Sequence, residues 1–180
     1  MKKVLLVFLL GLFFITGCDN LMNTPTKKVE TLLSKYQKKD DVVVKQLGDT
    51  LLLDAVLTVN QKDSYKELME RQYSNLTYTV KNEAIDGKTA VVEVEIEVYD
   101  YNKAITDSEN YLLANASEFQ DETGEVNTEK YNDYKLEAMK NMKDRVKYTI
   151  NFTLSKMDDE WIVDDLTEAE RLKIHGLYAY

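Results

Sequence analysis

"NLTYTVKNEAIDGKTAVVEVEIEVYDY", residues 75–101, is where the chain changes period, and the change decides the fold class. Leu76, Tyr78 and Val80 alternate with Thr77, Thr79 and Lys81, a spacing of two that puts one set of side chains on each face of a strand. Asp86-Gly87 is a two-residue hairpin signal, because glycine accepts the positive φ that such a turn demands. The return run sets Ala90, Val92, Val94, Ile96 and Val98 against Glu93, Glu95 and Glu97. An antiparallel hairpin with one apolar and one wet face follows.

A second hairpin lies downstream. Val146, Tyr148, Ile150, Phe152 and Leu154 alternate with Lys147, Thr149, Asn151 and Thr153, Met157 to Glu160 turns, and Trp161-Ile162-Val163 returns. Helical spacing fills the rest. Thr24-Pro25 reads as N-cap and first helical position, followed by Val29, Leu32, Leu33 and Tyr36 on one face. Residues 41–57 and 61–74 read as two more helices, the second carrying Tyr65, Leu68, Met69 and Tyr73. Thr106 to Glu109 fits a capping box opening a short helix. Residues 117–127 read as a polar loop, and Asn127 caps a helix with Tyr131, Tyr134, Ala138 and Met142 along one side. Thr167 to Glu170 caps a last helix ending near Gly176. The expected fold is α+β: two antiparallel hairpins forming a curved sheet of about four strands packed on helices.

Composition narrows the function classes. The chain has 180 residues, room for one ordinary domain. One cysteine excludes a disulfide framework, and with one histidine it excludes a zinc cage. With 23 basic against 32 acidic side chains, the net charge of −9 speaks against a nucleic-acid partner.

The amino terminus carries the chain's most specific chemistry. Met1-Lys2-Lys3 is a short basic start, and Val4 to Ile15 is a nearly unbroken apolar run of about a dozen residues. A spanning helix needs roughly 20, so this is the proportion of a signal peptide. The run ends Ile15-Thr16-Gly17-Cys18, which resembles the lipobox of bacterial lipoproteins. That resemblance implies a diacylglycerol thioether on Cys18 and cleavage between Gly17 and Cys18. Residues 1–17 would then be signal peptide, 18–23 the lipidated cysteine and a short linker, and 24–180 one domain. The mature domain would face the extracytoplasmic side of the cell membrane, held by its lipid. Losing Lys2 and Lys3 leaves 21 basic and 32 acidic groups, or −11. A lysine arc on the first helix (Lys27, Lys28, Lys35, Lys38, Lys39) reads chiefly as a solvated flank, with headgroup contact as the alternative.

The mature chain also resembles uncharacterised small lipoproteins of low-GC Gram-positive bacteria. "TPTKKVETLLSKYQ", "LMERQYSNLTYTVKNEAIDGKTAVVEVEIEVYDY", "VKYTINFTLSKMDDEWIVDDL" and "KIHGLYAY" carry the likeness. The layout is similar to cystatin-like and nuclear-transport-factor-2-like folds, which implies a sheet curved around a cavity. Tyr78, Tyr148 and Trp161 are the residues expected to line such a cavity. The inward strand positions hold no carboxylate for acid–base work, so no catalytic residue is assigned and a cavity enzyme ranks behind binding. His175 reads as a packing or capping residue. Asp121 to Asn127 has calcium-type oxygens, but its glycine is misplaced and no acidic twelfth ligand follows, so no metal or other cofactor is assigned. The expectation is a membrane-anchored binding module for a small molecule or an unknown protein partner, with a structural part in an envelope complex as the alternative.

Overall fold

Thr24 and Pro25 begin the first helix for the reasons their chemistry supplies. The structure, a computed structural model, describes residues 23–179, so Gly17, Cys18 and the signal-peptide reading lie outside the described residues. Thr24 Oγ1 accepts from the Lys27 amide and Pro25 takes the first position of α1 (Pro25–Gln37). Its buried face is Val29, Leu33 and Tyr36. Lys39, at a φ of 54°, turns the chain. Asp40 then caps α2 (Asp41–Leu53), shorter than the expected 41–57 because Asp54 caps the far end in an extended conformation. A reciprocal Thr58–Gln61 capping box opens α3 (Val59–Asn75).

Four strands follow in chain order: β1 (Thr77–Asp86), β2 (Thr89–Tyr99), β3 (Arg145–Met157) and β4 (Glu160–Val163). Every neighbouring pair is antiparallel, and the fold is α+β. Ala90, Val92, Val94, Ile96 and Val98 of β2 are buried, as are Tyr148, Ile150, Phe152 and Leu154 of β3. The opposite face carries the glutamate stripe. Lys81 and Lys147 each reach Glu95 at 3.3 Å, and Arg145 reaches Glu97 at 3.2 Å. Each such exposed pair contributes at most about 1 kcal/mol.

One irregularity redirects β1. Val80 faces Val94 but Asn82 faces Glu93, so Lys81 is an extra residue and the side-chain parity inverts beyond it. Glu83 thus sits opposite Val92, on the helical side of the sheet. Its carboxylate accepts from the Thr26 amide at 2.8 Å and the Thr26 hydroxyl at 2.6 Å. The strict alternation assumed from sequence left no carboxylate on this side; the bulge supplies one, and it caps α1.

The chain enters beside both hairpin tips. Asn23 Nδ2 donates to the Asp159 carbonyl and Asn23 Oδ1 accepts from the Trp161 amide. Asp158 and Asp159, at φ 48° and 64°, make the β3–β4 turn without glycine. Thr89 pairs with Ser155, so the β1–β2 tip lies at this same end. At the opposite end, Gln37 Nε2 donates to the Leu76 carbonyl.

Beyond that far end stand α4 (Tyr101–Ala114) and α5 (Thr128–Asn141). The capping box expected at Thr106 is not where α4 begins. Asp100, directly after β2, accepts from the Lys103 amide and starts the helix earlier. The expected loop 117–127 is also partly built: Ala116–Phe119 is a 3-10 turn, and Phe119 is buried against Tyr111, Tyr131 and Tyr134. Those tyrosines serve this satellite cluster, and the fully buried stripe of α5 is Asn132, Leu136 and Met139. The last helix, α6 (Glu168–His175), has the Thr167–Glu170 capping box and ends at Gly176 with φ 70°. Among the described residues no helix is long and apolar enough to cross a membrane.

Candidate functional site: an apolar cavity between α2 and α6

Gln72 fixes the wall from behind. It is fully buried on α3, where its Nε2 donates to the carbonyls of Tyr99 and His175 and its Oε1 accepts from the Tyr99 amide. Three backbone groups from β2 and α6 are therefore satisfied by one side chain. Gly176 lies against it. A Cβ there would come 2.1 Å from the Tyr99 oxygen and 2.2 Å from Gln72 Nε2. Its positive φ and this close approach both require glycine. The Gly176 carbonyl accepts from the Asn102 amide at 2.8 Å, tying α4 to the same node.

In front of that node is a cavity of about 290 Å³. α2 supplies Val43, Leu47 and Leu51 to it; α1 supplies Tyr36, α3 supplies Tyr65 and Tyr73, and α6 supplies Arg171, Leu172 and His175. Several of its polar groups are engaged with one another or with the backbone. Tyr73 Oη and His175 Nε2 are hydrogen-bonded at 2.9 Å. Burial, followed by the charge of Arg171, lowers the His175 imidazole to about 4, so it is neutral at pH 7. Burial raises the Tyr73 phenol, and burial with Asp54 nearby raises Tyr65 to about 12. Asp54 Oδ1 accepts from the amides of Val56 and Leu57, which hold its carboxyl below the usual range. Apolar walls with a small set of placed polar groups are the ordinary make-up of a small-molecule site, and this volume lies at the small end of that range.

The residues expected from sequence are placed elsewhere. Tyr78 is half-exposed and borders a shallow groove with Lys27 and Glu30 of α1 and Lys38 just beyond it. Tyr148 is buried in the sheet core and donates to the Tyr178 carbonyl at 2.9 Å. Trp161 is buried near the Asn23 junction. None of the three lines the cavity between α2 and α6, and the sheet's inner face is packed by its own side chains and by α1. His175, read as packing, does pack, but it also lines the cavity. Arg171 and His175, four apart and hence on one face of α6, both reach it, a pairing the sequence reading did not use. The Asp121 carboxylate is taken up locally, accepting from the Thr123 amide and hydroxyl and the Glu125 amide. The lysine arc is partly paired, with Lys27 on Glu30, Lys28 on Glu160 and Lys39 on Glu70.

Comparison with protein-family models finds no match, and neither does comparison with curated proteins. Among solved structures, the chain is similar to a Bacillus subtilis protein, ycdA, provisionally described as a lipoprotein. The identity is 16% and the TM-score 0.41, over 91% of this chain and 50% of that one. The chain thus spans half the length of that structure.

Proposed function

We propose that this protein is a membrane-anchored lipoprotein whose extracytoplasmic domain binds a small, mainly apolar molecule in the cavity between α2 and α6, without catalysis. The cavity carries the reading: about 290 Å³ remains open between packed helices, walled by leucines and tyrosines. The single imidazole is neutral and engaged by Tyr73, which supports a wall role over proton transfer. The anchor rests on Cys18 and the apolar run before it, and the likeness to cystatin-like or nuclear-transport-factor-2-like folds belongs to the same proposal.

A second reading has its own observation. Leu52, Leu53, Val56 and Val59 are exposed together at the α2–α3 corner, a surface suited to a protein partner in an envelope complex. Mass spectrometry of the full-length protein purified from membranes separates the two. A co-purifying small molecule that is absent from Leu47→Trp is expected. A protein that carries no small molecule, yet crosslinks reproducibly to one neighbour through position 52 or 53, would replace the first reading with the second.

A further inference from the structure

We infer that the cavity's ligand is a small amphipathic carboxylate, its apolar body between α2 and the tyrosines and its anionic group on Arg171. This rests on the proposed reading that the cavity holds a small molecule. Most polar groups of the wall already have partners: Tyr73 with His175, Asp54 with two amides, and Thr50, whose hydroxyl donates to the Gln46 carbonyl. Arg171 differs. It donates one N–H to the Leu166 carbonyl and takes part in none of the ion pairs among the described residues. Arg145, by contrast, is paired with Glu97, and Arg71 is taken up by the carbonyls of Lys140 and Met142 and the ring of Tyr99.

An exposed guanidinium at the edge of an apolar cavity is a fork of donors awaiting a planar anion. Its field reaches the interior: burial raises the Tyr36 phenol with Arg171 opposing that rise, and burial lowers the His175 imidazole with Arg171 adding to it. His175 is neutral, so Arg171 is the one cation of the wall and Asp54 its one anion, and the ligand's anionic group would pair with Arg171. Asp54, the carboxylate on the wall, acts on Tyr65 and is stabilised by two amides of its own turn. At about 30 Å³ for a water-sized group, the volume admits roughly ten non-hydrogen atoms.

Calorimetry of the full-length protein with 3-phenylpropanoate and its neutral amide tests this, the two probes having equal size and shape. The carboxylate should bind at least about tenfold more tightly, and Arg171→Gln should remove that preference, so that the two probes bind alike. Arg171→Lys should restore part of it, which a merely structural loss would not. Equal binding of both probes to the unaltered protein would overturn the carboxylate inference and leave the cavity reading standing. Binding of neither would overturn both.

Discussion

His175 joins packing to titration. Its imidazole is held near 4, whereas in the unfolded chain it returns to about 6.5. Between those values the unfolded chain binds the extra proton. Stability is therefore fully present above pH 6.5 and is lost as pH falls toward 4, by about 2–3 kcal/mol for a shift of this size. Urea unfolding at pH 7 and 4.5 should show that loss, and His175→Gln should show a clearly smaller one. Equal losses would mean that other groups carry the slope. At the neighbouring position, Gly176→Ala meets a backbone oxygen and an unfavourable φ together. It should cost about 3 kcal/mol or more, read as a lowered urea midpoint with unchanged slope. Gln72→Leu leaves the Tyr99 amide and two carbonyls without their donor or acceptor, and should cost about 2–4 kcal/mol in the same measurement.

Among the elements, β1 shows how a local insertion changes a distant helix. Because Lys81 is bulged, Glu83 reaches the amino end of α1, where a carboxylate meets unpaired amides and the positive end of the helix dipole. Glu83→Ala should lower stability by about 1 kcal/mol in urea unfolding, and Glu83→Gln by less, since an acceptor remains. A null result for Ala would mean that solvent satisfies Thr26 equally well. The strands, both hairpin turns, the Thr24–Pro25 start and the Thr167 capping box were legible because each depends on neighbouring residues. What escaped was set by competition or by distance. Asp100 pre-empts the Thr106 cap simply by coming first after β2, and Phe119 orders a polar segment by packing on aromatics from two other helices. The cavity could not be read from alternation at all. Sheet periodicity pointed to Tyr78, Tyr148 and Trp161, whereas the open space lies where α2 spans a gap among helices, and gaps between elements leave no period in the sequence.

For the whole molecule, the prediction concerns its attachment. Cys18→Ser should abolish incorporation of labelled fatty acid and leave the precursor uncleaved; unchanged labelling would sink the lipid anchor. The geometry beyond that anchor has a consequence of its own. Asn23 is fastened to the β3–β4 turn, five residues after Cys18, so the domain would stand on its hairpin tips. Tyr36 lies at the other end of α1, about 17 Å further along a helix rising 1.5 Å per residue. The Debye length at physiological ionic strength is about 8 Å. With α1 upright, the surface potential of an anionic bilayer has decayed before it reaches the cavity. His175 and Arg171 would then experience the proton and anion activities of the bulk medium, and the protein would sample what diffuses past the cell instead of what accumulates at its lipid surface.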